Sequence, residues 1–146
     1  MVRMVDVGDK AVTRREAVAE GFLRLRPATA QAVASGSTKK GDVVAASKLA
    51  GIHAAKSTAD LLPLCHQVPL TSIDVDIEVR ADGLRAVCSV TANYKTGVEM
   101  EALVGVTAAL LNAWDMVKYL EKDAKGQYPQ TAIEGVRVVR KSKRAR

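Results

Sequence analysis

Residues 98–122 carry the acidic and basic side chains whose spacing best suits proton transfer. If this segment is helical, Asp115 and Lys118 lie one turn apart and can form a carboxylate–ammonium pair. Their neighbours in the chain are mostly apolar, and desolvation in such surroundings makes a lysine easier to deprotonate. An ordinary surface ion pair is the alternative interpretation, and such a pair contributes little to stability. The pattern alone leaves both interpretations open.

Glu101 lies fourteen residues before Asp115, which puts both carboxylates near one face of the expected helix. At a rise of about 1.5 Å per residue, the two are about 21 Å apart along the helix axis. Groups at that distance cannot both contact one small substrate within one chain. If they share a site, we expect it between two subunits whose helices run roughly antiparallel.

His66 is the second candidate for chemistry, because a histidine is the natural proton carrier near neutral pH. It lies beside Cys65 in an apolar loop that Pro63 and Pro69 bracket, and such loops usually pack against something. A structural histidine is the alternative. Cys65 could be a nucleophile or a ligand, but a single Cys-His dipeptide is weak evidence for either. There is no second ligand pair with zinc spacing, so we expect no metal site.

The basic loop Lys39-Lys40-Gly41-Asp42 precedes an expected helix, where backbone N–H groups and ammonium groups together favour phosphate oxygens. Asp42 could instead cap the helix itself. Lys56, Arg14 and Arg15 are further candidates for binding anions, with solvated charge as the alternative. His53 lies among alanines and is expected to be structural or partly exposed.

The spacing of apolar residues predicts the strands and helices that position these groups. Alternation of apolar and polar residues predicts strands over 72–79 and 84–94, joined by a hairpin turn at Asp82-Gly83. Alternation over 11–25 also indicates a strand, although its alanines permit a helix, and 133–139 is expected to be an edge strand. The order predicts an α+β sandwich with an antiparallel sheet and helices on one face.

Helices are expected at three places. A short one follows Pro27 and stops at Gly36, and a long one covers 98–122. The third runs from Asp42 to about Lys56 and is expected to pack closely through small side chains. Those side chains are Val43, Ala46, Ala50 and Ala54.

Composition indicates one domain, residues 1–146, with a thin core that makes oligomerisation reasonable, since only five residues are aromatic. The net charge of +6 is concentrated in residues 137–146, and the basic C-terminal tail at about 140–146 is expected to be a solvated end. No segment is expected to cross a bilayer, and the N-terminus lacks a secretory pattern. With two cysteines and no disulfide framework, a cytoplasmic location is expected.

Taken in order, several segments resemble the molybdenum-cofactor biosynthesis protein C (MoaC) family, the cyclic pyranopterin monophosphate synthases. The matching stretches are MVDVGDK (4–10), REA (15–17), KGDVVAASKLAGIHAAKSTADLLPLCHQVPL (40–70), KTGVEMEAL (95–103) and WDMVK (114–118). The resemblance implies a ferredoxin-like fold and a homohexamer, a trimer of dimers, with the active site at the dimer interface. It implies a lyase that converts 3′,8-cyclo-7,8-dihydro-GTP to cyclic pyranopterin monophosphate and releases pyrophosphate.

The resemblance also implies roles for individual residues. Lys118, tuned by Asp115, is expected to be the main general acid/base, with Lys40 supplying charge to the triphosphate. His66 is expected to hold the phosphate chain, while Glu99 and Glu101 accept hydrogen bonds from the guanine-derived ring. Cys65 and Met100 occupy matching positions in the same motifs and are included as substrate-binding residues. No cofactor is required, and Mg²⁺ accompanies the triphosphate at most.

In a regular helix, Glu99 and Glu101 point about 200° apart. Either the helix begins irregularly, or only one of them touches the substrate. The chain also departs from the family in the longer loop AKGQYPQTA before the last strand and in the ending KRAR, where many members have a glycine-rich run.

Two other functions were weighed. A small basic RNA-binding domain would need aromatic residues on the exposed sheet face, and the strands over 72–91 have none. A pterin-binding protein without activity would not need Lys40, His66, Asp115 and Lys118 together. A small nucleotide-derived substrate is therefore expected, with neither nucleic acid nor membrane as a partner.

Overall fold

The sheet has four antiparallel strands in the order β2-β3-β1-β4. In a computed structural model, which describes residues 1–145, the strands are β1 (Thr13–Arg24), β2 (Leu70–Arg80), β3 (Gly83–Tyr94) and β4 (Ala132–Arg144). Each central strand is thus inserted between two strands that a helical segment connects. This is the ferredoxin-like α+β arrangement expected above, and the region 11–25 is a strand and not a helix.

The helices of the described residues are α1 (Pro27–Ser35), α2 (Val43–Lys56), α3 (Thr58–Leu61) and α4 (Glu99–Glu121). The start and stop signals work as predicted. Gly36 ends α1 with a φ of 72°, a backbone conformation that suits glycine. Asp42 caps α2, since its side chain accepts a hydrogen bond of 2.9 Å from the backbone N–H of Ala45.

The core lies between the sheet and the helices and is built from small and aliphatic side chains. The helix-facing residues of β1 and β3 are fully buried, namely Ala17, Ala19, Leu23, Leu84, Ala86, Cys88 and Val90. α2 and α4 cross closely at Gly51, where an added Cβ would lie 2.9 Å from the backbone oxygen of Gly105. The predicted small-residue stripe was right at Val43 but otherwise displaced by one position. The buried residues after Val43 are Ser47, Gly51 and Ala55, because i, i+4 spacing from Val43 faces α4.

α4 corrects one expectation, because it is long and apolar enough, by length and composition alone, to cross a membrane. Ten of its residues are buried inside the fold, which shows that its apolar side packs onto the sheet and α2. Its apolar composition is therefore that of a core helix.

The C-terminal end also differs from the expectation of a solvated tail. β4 continues to Arg144, so residues 140–144 pair with β1 across the edge of the sheet. Only the last residue of the predicted 140–146 tail, Arg146, lies outside the described residues. At the start of this tail, Arg140 forms an exposed ion pair of 3.2 Å with Glu16 on β1.

Candidate active site

Asp115 lies at the centre of a group that we call the lysine cluster: Lys40, Asp115 and Lys118. Its two oxygens accept separate hydrogen bonds, from Lys40 Nζ at 3.0 Å and from Lys118 Nζ at 3.2 Å. The hydrogen bond from Lys40, followed by that from Lys118, holds the pKa of Asp115 below its usual value. The cluster therefore places two ammonium groups beside one ionised carboxylate.

Lys40 reaches α4 because the loop before α2 is docked on that helix. Tyr119, the residue after Lys118, accepts a hydrogen bond of 2.8 Å from the backbone N–H of Lys39. The Lys39 ammonium lies over the Tyr119 ring at 4.9 Å. Within the loop, Thr38 Oγ1 donates to the carbonyl oxygen of Gly41 at 2.6 Å. The pair expected from helical spacing thus has a third member that only the tertiary fold brings in.

Of the two interpretations left open for Asp115 and Lys118, a single chain fits the exposed ion pair. The side chain of Asp115 is 53% exposed, and those of Lys40 and Lys118 are 50% and 44% exposed. The apolar neighbours Met116 and Val117 point into the core, so they do not cover the charged groups. In a single chain the lysine cluster is therefore open to water.

A second group, the His66 pocket, lies at the other end of α4. It is a cavity of about 150 Å³ lined by Lys56, residues 57–60, His66 and Glu101, among others. Glu101 is only 3% exposed, and burial, with a smaller contribution from the charge of Glu99, raises its pKa. His66 Nε2 lies 2.5 Å from the backbone oxygen of Val5, so the N-terminal segment covers the imidazole.

Cys65 and the leucines around it complete this end of the molecule. Burial and then the negative charge of Glu101 raise the pKa of the Cys65 thiol, which disfavours the thiolate needed for a nucleophile. The short helix α3 ends just before the proline-bracketed loop, and the leucines of this region do not pack as expected. Leu61, Leu62 and Leu64 are exposed. These leucines form an uncovered apolar patch beside the His66 pocket.

Glu99 and Glu101 do not share a pocket. α4 begins regularly at Glu99, so the first of the two alternatives weighed for them, an irregular start, is excluded. Glu99 lines a separate cavity of about 190 Å³, whereas Glu101 faces His66. Met100, between them, is 42% exposed and lines neither cavity. His53, which was expected to be structural or partly exposed, is exposed on α2.

The cavity beside Glu99, which we call the arginine–lysine pocket, consists of Arg15, Glu99, Lys141, Ser142 and Lys143. Arg15 lies on the helix-facing side of β1 and is the direct cross-strand neighbour of Lys143. Its guanidinium donates to the carbonyl oxygen of Lys95 at 3.4 Å, but its buried Nε has no partner among the described residues. Two cations facing each other across strands repel, which suits a place for an anion.

Sequence reasoning had included Arg15 as an anion partner but had missed Lys141 and Lys143. Simple alternation could not have found them, because the register of β4 shifts at Val139. Val138 pairs with Ala19 and Lys141 pairs with Ala17, so the helix-facing positions change parity between them. Trp114 and Tyr128 were missed as well. They line a cavity of about 370 Å³ together with Leu111, Asp115 and Lys118.

The clusters of one chain cannot act together. α4 is unbroken from Glu99 to Glu121, so Glu101 and Asp115 are about 21 Å apart along its axis. Within the described residues, no group of His, Cys, Asp and Glu side chains is placed to hold a metal ion.

Comparison with known proteins gives a match over nearly the whole chain. Residues 4–144 match the sequence model described as the MoaC family. A protein from Thermococcus onnurineus named "Probable cyclic pyranopterin monophosphate synthase" is 56% identical over 142 residues, which is 97% of this chain and 91% of the relative. A protein of the same name from Sulfolobus acidocaldarius is 52% identical over 140 residues, covering 96% of this chain and 98% of the relative.

Proposed function

This chain belongs to the MoaC family, and we propose on that basis that it is a cyclic pyranopterin monophosphate synthase of molybdenum cofactor biosynthesis. Its substrate is 3′,8-cyclo-7,8-dihydro-GTP. The ring system rearranges to a pyranopterin, pyrophosphate leaves, and a cyclic phosphate remains, which makes the enzyme a lyase.

The lysine cluster is the observation that carries this proposal. Opening and closing rings requires proton transfer at several atoms, and two ammonium groups on one carboxylate provide both donors and a fixed geometry. Asp115 stays ionised, so it orients Lys40 and Lys118 towards the same space. We assign Lys118 as the main general acid/base and Lys40 as its partner.

We propose that Glu101 and His66 bind the guanine-derived part and the adjoining phosphate. A buried carboxylate suits ring N–H groups, since burial makes an unpaired Glu101 costly and a hydrogen-bonded one favourable. Cys65 shapes this pocket as an uncharged thiol. We also propose that Met100, whose side chain is exposed, contacts the substrate.

The triphosphate needs more positive charge than Lys40 and His66 supply. We propose that the arginine–lysine pocket provides it through Arg15, Lys141 and Lys143, with Glu99 neutralising part of the charge when the site is empty. Lys143 stands where many family members have a glycine-rich run. In this chain, Lys143 lies on β4 at that position.

We propose that the site forms between subunits in a homohexamer, a trimer of dimers. A helix of 23 residues keeps Glu101 and Asp115 too far apart within one chain, and an antiparallel partner helix brings one next to the other. The exposed apolar side chains on this surface, including Leu61, Leu64, Met100 and Leu111, suit burial against a second copy.

Cofactor, partner and location follow the same reasoning. We propose that no resident cofactor is needed and that Mg²⁺ arrives with the triphosphate. Nucleic acid is not a proposed partner, because the arginines of the open sheet face are already paired: Arg85 and Arg137 both bind Glu20, at 2.8 Å and 3.0 Å. The free thiols of Cys65 and Cys88 support a cytoplasmic location.

The test is turnover of the cyclised GTP intermediate by the purified protein, followed as pyrophosphate release and formation of cyclic pyranopterin monophosphate. Lys118→Ala should lower kcat by about 10²-fold or more, as expected for loss of a general acid/base. Lys122→Ala is the matched control, because Lys122 is exposed just beyond the end of α4. Absence of turnover by the parent protein, or an active Lys118→Ala variant, would defeat the proposal.

A further inference from the structure

Trp114 and Tyr128 meet beside the lysine cluster, with ring centroids 5.3 Å apart and ring planes at 78°. Both line the cavity of about 370 Å³ that also contains Asp115 and Lys118. Two of the five aromatic residues of the chain therefore lie on one wall of this cavity. The chemistry assigned to the lysine cluster uses the charged side of the cavity and leaves the aromatic side without a role.

We propose that Trp114 and Tyr128 form an aromatic wall that packs against the flat heterocycle of the substrate, and that the buried Glu121 is the positioning residue for this wall. The identity of that heterocycle rests on the proposed function. The wall itself rests on the geometry of residues 114–131.

Tyr128 lies on the segment 122–131 between α4 and β4, and residues 122–127 of this segment are exposed. Asp123 Oδ1 accepts hydrogen bonds from the backbone N–H groups of Lys125 and Gln127, each at 2.9 Å. Gly126 completes the turn with a φ of 74°. The turn is thus preformed up to Gln127, whose carbonyl oxygen accepts a hydrogen bond of 2.9 Å from the backbone N–H of Asp123. The direction in which Tyr128 leaves the turn also depends on what holds the residues after it.

Glu121 fixes that direction. Its side chain is fully buried and accepts a hydrogen bond of 2.7 Å from Thr131 Oγ1, three residues after Tyr128. The same carboxylate accepts a hydrogen bond from Thr29 Oγ1 and another of 3.2 Å from the backbone N–H of Arg26 at the start of α1. One carboxylate, one turn beyond Lys118, therefore ties the C-terminal end of the segment and the start of α1 to α4.

A buried carboxylate is a costly way to join a helix to a loop, because it must be desolvated and then fully hydrogen-bonded. An apolar contact could hold the loop with less precision. The hydrogen bonds of Glu121 have fixed directions, and they set the distance between Tyr128 and Trp114 across the cavity mouth.

The chemistry of the wall selects a flat ring over a phosphate. Leu111, Trp114 and Tyr128 present apolar and aromatic surface, whereas phosphate oxygens are better served by the lysines next to them. Stacking of a nucleobase-like ring on an aromatic side chain typically changes affinity by about tenfold. Such a wall would hold the ring in place while Lys118 acts on it.

Trp114 is the single tryptophan of the chain, so its fluorescence reports directly on the wall. GTP, which has a guanine ring and a triphosphate, is expected to change this fluorescence on titration. Inorganic triphosphate, which has no ring, is expected to leave it unchanged. Tyr128→Ala should weaken GTP binding about tenfold, whereas Tyr128→Phe should keep it within about twofold. Gln130→Ala, in the same segment, is the matched control. A wild-type GTP response in Tyr128→Ala would overturn the wall.

For Glu121, the expected result of Glu121→Gln is a weaker GTP response and a raised KM for the cyclised intermediate, with kcat within about twofold. Thr131→Val removes one of the same hydrogen bonds and should act in the same direction if Glu121→Gln does not fold. A lower melting temperature with unchanged GTP affinity and KM would overturn the positioning role. A protein that responds to GTP but does not turn over the intermediate would contradict the proposed function without contradicting the aromatic wall.

Discussion

Asp115 shows which properties of a side chain its spacing in the sequence can predict and which it cannot. Helical spacing predicted its pairing with Lys118, and the pair exists at 3.2 Å. Desolvation, one of the two interpretations left open for this pair, is not found in a single chain, because Met116 and Val117, its apolar neighbours in the chain, face the core while Asp115 faces solvent. The chemistry of the cluster therefore comes from the arrangement of its charges and not from burial within one chain.

Glu101 gives a prediction on stability at the same scale. Burial raises its pKa above the ordinary value of 4.5, so the folded protein holds the proton more tightly than the unfolded chain does. Stability should therefore fall as pH rises from about 4.5 through the raised pKa, and the loss should be complete above it. Glu101→Gln should melt on the order of 3 °C higher than the parent at pH 7, and the gap should close below pH 4.5.

Glu78→Gln, at an exposed position on β2, serves as the control and should melt within about 1 °C of the parent at both pH values. A Glu101→Gln variant that is less stable than the parent at pH 7 would show that the carboxylate is satisfied in the folded state. The same variant should lose activity, since Glu101 is proposed to bind the substrate ring as an ionised acceptor.

The charged side chains at the end of β4 lie on two different faces of the sheet. Lys141 and Lys143 face the helices and line the arginine–lysine pocket, whereas Arg140 faces the other way and binds Glu16. Lys141 and Lys143 therefore have different surroundings from Arg140, which net charge alone cannot distinguish. The strand alternation makes the two faces testable independently.

We predict that the double variant Lys141→Ala/Lys143→Ala binds inorganic pyrophosphate at least about tenfold more weakly than the parent, measured by calorimetry. Arg140→Ala/Arg144→Ala removes the same charge from the same strand and is expected to bind pyrophosphate within about twofold of the parent. Equal losses in the two double variants would mean that only net charge matters, and the arginine–lysine pocket would not be an anion site.

For the whole molecule, the length of α4 is the feature with the largest functional consequence. It separates the lysine cluster from the His66 pocket, so one chain holds two parts of a proposed site. In the proposed dimer the site would form only by assembly, and an isologous interface would produce two equivalent sites.

Subunit complementation tests this arrangement. His66→Ala and Lys118→Ala should each be nearly inactive alone. If the two are mixed, dissociated and reassembled, about a quarter of the sites should be intact, because half of the dimers are mixed and each has one complete site. Activity should recover to about that fraction of the parent. No recovery in a mixture shown to exchange subunits would mean that both residues act within one chain or in separate sites.

Local sequence determined the elements and the chemistry available to them. Period-two alternation marked β2 and β3, Asp42 and Gly36 marked helix ends, and the resemblance to the MoaC family indicated Lys40, Asp115 and Lys118. These signals are local because they depend on backbone geometry and on residues within a turn or two of each other.

Tertiary structure alone decided which groups meet. Lys40 joins Asp115 across 75 residues, and Lys141 and Lys143 join Arg15 at the edge of the sheet. No periodicity encodes these contacts, because they depend on strand order and on how the helices lie against the sheet. The fold sets distances between residues that are remote in the chain, whereas the sequence pattern sets only the face on which each residue lies.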